Sequence, residues 1–403
     1  MKAASLWELT GPDIAAGGTL PRRADVVVAG GGLAGLAVAT ELARRGRSVV
    51  VVEADRFGGI TTSRTTGKVS LLQGAAVSRV LTHAGRRAAH AYLDAAAAAQ
   101  HWLAGELAEV PDAWQTQQAS TFATTEAGQR ALRREAKAMA AAGRPVRHHR
   151  DVVPGLPLPV RAAITLDDQA QLHPRRATAA LAAAVRAAGG ILVDRCRVQA
   201  VRARDVEVEI DTTRGVVRAQ HIVLATGTPV LDRTLAFARL VATRELVAAY
   251  RLPDAGARDA ALTGIHLSVD PVSHSLRMAT GPGGAPVLVV GGAGYDTGRG
   301  TAGLPPDDRR AVGGPGRVRW GARARCDRVR EVGDDRRRRR RTRDRGPHHR
   351  RRAGLGVTAV PGTAAPAWRR GDGEGQRRRG GAADRRVGGC PAAGTGQRGA
   401  DRA

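Results

Sequence analysis

Three glycines and a glutamate have the spacing of a nucleotide-binding site. Gly30, Gly32 and Gly35 follow the apolar run 24–28, and Glu53 lies 23 residues after Gly30. In such a loop the first glycine permits a tight turn, the second lets the backbone approach a pyrophosphate, and the third lets the helix pack on the strand. A carboxylate at Glu53 would accept hydrogen bonds from ribose hydroxyls and repel a 2′-phosphate. The pattern predicts a dinucleotide site that disfavours NADP and leaves FAD and NAD open.

A βαβ unit must position these residues. The β-branched run 24–28 predicts a parallel strand, residues 36–45 a helix, and residues 48–52 a second strand. The N-terminus of this helix offers unpaired N–H groups and a partial positive charge to phosphates. A glycine-rich turn without a ligand is the alternative, since the chain contains 51 glycines. That alternative would require the strand, the glycine loop, the helix, the second strand and the acidic residue to occur at these spacings by chance.

Apolar periodicity predicts the remaining elements. Helices are expected between residues 84 and 142, broken near Pro111 and by a polar segment at 115–125, and again at 176–188. A proline-rich loop is expected at 144–159. We expect that His148 and His149, which lie in this loop, do not bind a metal ion. Strands are expected at 191–194, 198–203, 206–211, 215–219, 221–227, 245–250, 263–269, 276–279 and 287–290. The last four suit an antiparallel sheet.

Further segments resemble the FAD-dependent oxidoreductases of the D-amino-acid oxidase type. Residues 59–68, rich in hydroxyl groups, resemble that family's second FAD-contacting loop, and residues 168–174 resemble the segment that returns to the cofactor domain. Residues 225–227 resemble its late glycine motif, and Val198 falls where a backbone contact to adenine is usual. The resemblance covers roughly residues 5–300 and implies FAD as the cofactor.

The resemblance also implies a set of cofactor contacts, which adds loop and strand-end residues to the glycine fingerprint. The expected cofactor-binding residues are Gly30, Gly32, Leu33, Ala34, Gly35, Glu53, Thr61, Thr62, Arg64, Thr65, Lys68, Val198, Ala225, Thr226 and Gly227. For Arg64 and Lys68, neutralisation of pyrophosphate charge and simple solvation remain open. No catalytic residue is assigned, and His266, Arg277 and Tyr295 are only candidates to face the flavin ring.

A narrower likeness involves the opening Ser5-Leu6-Trp7, the run 61–69 and residues 291–298. These are similar to a bacterial subgroup whose members commonly add a C-terminal Rieske domain. Rieske ligation needs two pairs of Cys and His on one cluster. Because Cys196, Cys326 and Cys390 lack a histidine at the required spacing, we predict no iron–sulfur cluster and no metal site.

The expected fold class is α/β, with a Rossmann-like FAD-binding domain and a second mixed domain containing an antiparallel sheet. The FAD-binding domain is expected to comprise residues 24–80 and 166–232, and the helical or substrate domain residues 81–165 and 233–300. Residues 1–23 form a lead. A disordered Arg/Gly-rich tail is expected at 301–403.

Charge is concentrated in that tail. Of the formal net charge of +27, residues 305–403 carry +17, from 28 Arg and 11 acidic residues. Ten Leu, Val and Trp residues among 99 cannot bury a core. Arg, Gly, Ala and Pro, the four amino acids encoded by codons with only G or C at the first two positions, make up 68 of the 99. We therefore hypothesise a shifted reading frame beginning near residues 300–312, with a disordered basic tail as the alternative.

The function expected from the resemblance is FAD-dependent oxidation of a small amine or amino-acid-like substrate by hydride transfer to flavin. An inactive or truncated flavoprotein, which has lost the segment closing the flavin site, is one alternative. A non-specific polyanion binder acting through Arg336–Arg341 is another. Lack of interleaved aromatic residues disfavours specific nucleic-acid binding. Without a long apolar run, we expect a cytoplasmic protein with no membrane partner.

The coding DNA tests the frame hypothesis. An alternative frame downstream of codon 300 is expected to encode an apolar continuation that resembles the family. Sequencing and translating the region in all frames is the measurement. The hypothesis fails when neither alternative frame encodes such a continuation.

Overall fold

Two β-sheets and five α-helices are formed by the residues that this computed structural model describes, which are 4–204, 206–228, 240, 243–251, 262–270 and 273–296. The predicted disordered, frame-shifted tail lies outside these residues, as do Cys326 and Cys390. None of the helices in the described part of the chain is both long and apolar enough to span a membrane.

The elements follow one another in this order. The helices are α1 (Leu6–Thr10), α2 (Leu33–Arg44), α3 (Ala76–Leu107), α4 (Glu126–Ala141) and α5 (Pro174–Ala187). The strands are β1 (Arg23–Ala29), β2 (Val49–Val52), β3 (Lys68–Val69), β4 (Trp114–Ala123), β5 (Arg147–Val153), β6 (Leu156–Leu172), β7 (Ile191–Val193), β8 (Val198–Ala203), β9 (Val208–Thr212), β10 (Gly215–Leu224), β11 (Thr243–Arg251), β12 (Ile265–Ser268), β13 (His274–Thr280) and β14 (Pro286–Asp296).

The first sheet has the strand order β7-β2-β1-β10-β9-β8. Its first four strands are parallel, and β10, β9 and β8 form an antiparallel meander. Val26 and Val28 face helices α2 and α5, whereas Val27 and Ala29 pack with the meander residue Ile210. Burial of both faces explains why β1 is continuously apolar rather than alternating. This sheet is the Rossmann-like one expected from the sequence.

The second sheet has the order β11-β14-β13-β12-β4-β6-β3, with β5 also paired to β6. All its pairs are antiparallel except β12 with β4. Helices α3 and α4 cover one face, where Leu93, Leu132 and Met139 pack against Ile164 and Ile265. The predicted α/β class with a second, mixed sheet is therefore confirmed. The domain boundaries at residues 80, 165 and 232 stay a prediction.

Two segments expected to be irregular are strands. The polar segment 115–125 lies mostly in β4, where Gln171 of β6 donates a hydrogen bond to Gln115 at 2.6 Å between Nε2 and Oε1. This hydrogen bond between two strands pairs polar side chains that, in the sequence alone, indicated a loop. The expected loop 144–159 forms β5 and the start of β6, with Pro157 and Pro159 at exposed positions. Cys196 is buried in the segment between β7 and β8.

Helix α3 lacks a cap of its own. Its N-cap residue, Ala75, has no side-chain hydrogen bond, and Glu135 of α4 replaces it. The Glu135 carboxylate accepts hydrogen bonds from the backbone N–H groups of Val77 at 2.9 Å and Ser78 at 2.8 Å. Burial raises the pKa of Glu135, while these hydrogen bonds lower it. The contact ties the two helices that cover the second sheet.

Replacing Glu135 with Gln is expected to lower the free energy of unfolding by about 1–2 kcal/mol, because the amide NH₂ cannot accept one of the two backbone hydrogen bonds. Urea unfolding measures the change. The control is Glu126→Gln on the same helix, where the side chain is exposed and a change within about 0.5 kcal/mol is expected. Equal effects of the two substitutions would contradict the capping role.

Candidate functional site at the carboxyl ends of three parallel strands

The ends of β2, β1 and β10 meet at one edge of the first sheet. The backbone N–H of Gly30 donates to the carbonyl of Val52 at 2.8 Å, and that of Ala225 donates to the carbonyl of Ala29 at 2.8 Å. Glu53 follows β2 directly. The structure thus brings together three predicted segments that are far apart in the chain.

Two glycines of the fingerprint are required by close backbone packing. Gly30 has a φ of +114°, which disfavours any residue with a side chain, and a Cβ there would collide with the carbonyl oxygen of Ala225. A Cβ on Gly35 would collide with the carbonyl oxygen of Gly30. These two glycines hold α2 tightly against the strand ends.

Gly32 has a different environment. It is the N-cap of α2 and has no side chain to cap the helix, and the Leu33 N–H of the first turn donates to the Thr62 hydroxyl at 3.5 Å. A Cβ on Gly32 would have only the Thr62 hydroxyl oxygen within 4 Å, at 3.1 Å. A helix N-terminus that begins at a glycine without a capping side chain fits a phosphate. Leu33, Ala34 and Gly35 form the start of that helix.

Glu53 is held in place by the backbone. Its Oε2 accepts a hydrogen bond from the N–H of Gly31 at 2.7 Å, and its Oε1 accepts one from Asp55 at 2.9 Å. Each carboxylate oxygen can accept a further hydrogen bond. The fixed, half-buried carboxylate fits the binding of a ribose hydroxyl.

The loop after β2 packs on the glycine loop. The N–H of Gly58 donates to the Gly31 carbonyl at 2.9 Å, and that of Ser63 donates to the Gly58 carbonyl at 3.0 Å. Thr62 begins a short 3-10 turn, and its hydroxyl lies 3.5 Å from the Leu33 nitrogen. The loop therefore presents a hydroxyl to the start of α2.

The remaining residues predicted to contact the cofactor lie on the loop after β2, after β10 and at the start of β8. Thr61 and Arg64 are exposed on the loop, Thr65 is half-buried, and Thr226 and Gly227 follow β10. Val198 begins β8, directly after a segment in which Cys196 donates its N–H to the Glu53 carbonyl at 2.7 Å. Cofactor contact by each of these residues stays a prediction.

Lys68 belongs to the second sheet. It lies on β3 opposite Gln171 of β6. Burial lowers the pKa of Lys68 to about 8, with Glu245 opposing the shift and Arg277 adding to it. Its contact with a pyrophosphate also stays a prediction.

His266 and Arg277 are buried and bound to protein groups. His266 contacts the Ser120 hydroxyl at 2.6 Å and the Thr263 carbonyl at 2.7 Å. Arg277 donates to the carbonyls of Gly67 and Leu172. Burial lowers the pKa of Arg277 to about 9 and lowers that of His266. The side chain of Tyr295 lies outside the described residues.

The sequence interpretation missed α1. Residues 1–23 were expected to be a lead without regular structure, yet Ser5 and Glu8 form a reciprocal capping box. A serine followed three residues later by glutamate is a recognised helix-start signal, so the sequence contained the information. The buried face of α1 carries Trp7, whose side chain donates a hydrogen bond to the carbonyl of Thr65, one of the predicted cofactor-binding residues.

His173 connects α1 to α5. As N-cap of α5, it accepts at Nδ1 from the N–H of Arg176 at 3.3 Å, so its proton lies on Nε2, 2.9 Å from the Thr10 hydroxyl. The ring also packs edge-on against Trp7, with 5.1 Å between centroids. Burial, and secondarily the charge of Arg176, lowers the pKa of His173 to about 4.

A cavity of about 430 Å³ lies beside α1 and the β13–β14 turn. Trp7, Gln115, His173, Arg176 and Arg277 are among its lining residues, and none of the predicted cofactor-binding residues lines it. Among the described residues, no group of three or more His, Cys, Asp or Glu side chains could hold a metal ion. The candidate dinucleotide site is therefore defined by the strand ends and not by this cavity.

Comparison with known proteins gives a family and relatives. The family described as FAD dependent oxidoreductase matches residues 25–366, which extends beyond the end near residue 300 expected from the sequence. YhfW of Bacillus subtilis (strain 168), described as a Rieske 2Fe-2S iron-sulfur protein, is 26% identical over 287 residues. That alignment covers 69% of this chain and 54% of YhfW, so the chain spans about half the length of this curated relative.

Solved structures share the fold. L-proline dehydrogenase from P. horikoshii has a TM-score of 0.58 at 18% identity, covering 73% of this chain and 76% of that one. L-amino acid deaminase from Proteus myxofaciens has a TM-score of 0.52 at 18% identity, covering 69% and 61%. Glycine oxidase from Geobacillus kaustophilus has a TM-score of 0.51 at 22% identity, covering 68% and 72%.

The environment of His173 predicts a pH dependence of stability. Below pH 6.5 the unfolded chain binds a proton at this histidine that the folded chain rejects until about pH 4. Stability is therefore expected to fall between pH 6.5 and 4, with a contribution of up to about 1.4 kcal/mol per pH unit. His173→Asn keeps a capping side chain that does not titrate.

Urea unfolding of both proteins at pH 7 and pH 5 measures this contribution. The wild type is expected to lose more stability than His173→Asn, and the effect of His266, which is present in both proteins, cancels. An identical loss in the two proteins would show that His173 does not titrate as described.

Proposed function

We propose, since the chain belongs to the family of FAD dependent oxidoreductases, that it binds FAD at the carboxyl edge of the first sheet and oxidises a small amine or amino-acid-like substrate. The family match confirms the resemblance inferred from the sequence, with FAD as the family's cofactor. By ancestry the chain is an oxidoreductase.

The observation that carries the proposal is the backbone cradle at the start of α2. Gly30 and Gly35 are packed against backbone carbonyls, whereas a Cβ on Gly32 would meet the Thr62 hydroxyl oxygen, at 3.1 Å. The N–H groups of the first helical turn would donate to the pyrophosphate, and the helix dipole would favour its negative charge. The hydroxyls of Thr61, Thr62 and Thr65 and the charge of Arg64 would add contacts from the loop.

Glu53 would select the nucleotide. Its carboxylate is fixed by two backbone N–H groups, so it would accept a hydrogen bond from the adenosine ribose without reorganising. The same charge would repel a 2′-phosphate. Val198 and residues 225–227 would complete the contacts to the adenine side.

FAD held at this edge would supply the redox chemistry, oxidation of the substrate by hydride transfer. The chain's own residues hold and orient the cofactor, and the second sheet is the proposed substrate-bearing part. By name, the solved relatives act on L-proline, L-amino acids and glycine, which supports an amino-acid-like substrate.

A flavoprotein without turnover is the second candidate. It is favoured by the composition after Leu304, where ten Leu, Val and Trp residues among 99 would have to form the segment that closes the flavin site. FAD binding is common to both candidates. Reduction of bound flavin by amino acids or amines separates them.

Replacing Gly32 with Ala is expected to weaken FAD binding at least about tenfold, because the new methyl group occupies the space proposed for the pyrophosphate. Unfolding free energy is expected to change by no more than about 1 kcal/mol, since the methyl meets only Thr62. Titration of the apoprotein with FAD, followed by flavin fluorescence, measures the affinity.

The control is Gly105→Ala in α3, where an added Cβ has nothing within 4 Å. FAD affinity of this variant is expected to match the wild type. Equal affinities for Gly32→Ala and the control would place the cofactor elsewhere. A wild-type chain that takes up no FAD would remove the proposed function itself.

A further inference from the structure

The N-terminal helix touches the loop assigned to the cofactor. Helix α1 is fixed at its start by the capping box of Ser5 and Glu8, and its Trp7 is only 3% exposed. The indole Nε1 of Trp7 donates a hydrogen bond to the Thr65 carbonyl at 2.8 Å. A large aromatic side chain thus fixes one peptide of the loop.

Arg277 fixes a second peptide of the same loop from β13. Its guanidinium donates to the Gly67 carbonyl at 3.1 Å and to the Leu172 carbonyl at 3.2 Å. Its Cζ lies 4.9 Å from the centre of the Trp7 ring, within the range of a cation–π contact. Trp7 and Arg277, which bind the carbonyls of Thr65 and Gly67, therefore also contact each other.

Helix α5 anchors the other end of α1. Thr10 contacts His173, and the buried Arg175 donates to the Pro12 carbonyl at 2.8 Å and to the Phe57 carbonyl at 3.1 Å. The segment after α1 is consequently tied to α5 and, through Arg175, to Phe57, which precedes residues 61–68. Trp7 is supported by groups from three separate parts of the chain.

We propose that α1, through Trp7 and together with Arg277, is a brace that positions residues 61–68 for the cofactor before it binds. Since a trans peptide directs its C=O and the following N–H to opposite sides, holding the carbonyls of Thr65 and Gly67 directs the N–H groups of Thr66 and Lys68 away from the brace. The brace, together with the N–H of Leu172, which donates to the Gly67 carbonyl at 2.8 Å, fixes which face of the loop offers N–H donors.

The brace acts through conformational entropy. A loop that is ordered only when the cofactor arrives lowers affinity by the cost of ordering it, and a loop ordered beforehand does not. Trp7 and Arg277 are positioning residues in this scheme, since the described contacts reach the cofactor loop and not the cofactor. The inference rests on the proposed function, because it assigns residues 61–68 to FAD.

Trp7→Phe removes the indole N–H and keeps an aromatic ring for Arg277 and His173. In the apoprotein, amide hydrogen exchange across residues 61–68 is expected to accelerate, and the dissociation constant for FAD is expected to rise about 5- to 10-fold, the effect of one hydrogen bond. The matched control is Trp102→Phe in α3, which removes an indole hydrogen bond of the same 2.8 Å length to Glu41. It is expected to change neither quantity.

Arg277→Lys is the second variant, chosen in case Trp7→Phe does not fold. Lysine keeps the positive charge but lacks the planar fork that reaches two carbonyls. The same acceleration of exchange and loss of affinity are expected. Circular dichroism establishes that each variant is folded.

The outcomes are distinct. Unchanged exchange in the folded variants would overturn the brace, and faster exchange with unchanged FAD affinity would overturn its role in positioning the loop for the cofactor. A wild-type protein that binds no FAD would instead remove the proposed function and, with it, the cofactor role of the brace. Exchange in the apoprotein would still report whether the brace orders the loop.

Discussion

At the end of β1, backbone atoms pack directly against one another with no side chain between them, and this contact sets the position of α2. Gly35 lies against the carbonyl of Gly30, and Gly30 lies against that of Ala225. A Cβ at Gly35 would push α2 away from the sheet, and a Cβ at Gly30 would push the glycine loop away from Ala225 at the end of β10. Because α2 stays close, its N-terminus faces the edge where Glu53 follows β2, and Gly32 begins the helix without a capping side chain.

The loop after β2 connects this edge to the second sheet. At one end Gly58 is bound to the glycine loop, and at the other end the carbonyls of Thr65 and Gly67 are held by Trp7 and Arg277. The chain then enters β3, an edge strand of the second sheet. The proposed cofactor loop is therefore fixed by both sheets and by the N-terminal helix, which gives the short α1 a role beyond covering the surface.

The βαβ unit could be predicted from the sequence because its requirements are local. Runs of β-branched residues indicate strands, and glycines at fixed spacing indicate the turn between strand and helix. Strands β4 and β5 could not be predicted in this way, because their polar residues are satisfied by β6, as the Gln115–Gln171 pair shows. The capping box of α1 could be recognised in the sequence. The packing of this helix could not, because it depends on Arg277 and His173, which are distant in the chain. Cofactor contacts at Lys68 and Val198 rest on resemblance and remain to be tested.

A crystal structure of the protein reconstituted with FAD would show whether the cofactor lies at this edge of the first sheet. The pyrophosphate is expected in front of α2, beside Gly32 and Thr62, with a ribose hydroxyl within hydrogen-bond distance of the Glu53 carboxylate. FAD bound instead in the cavity beside α1, or bound without contact to the start of α2, would contradict this expectation.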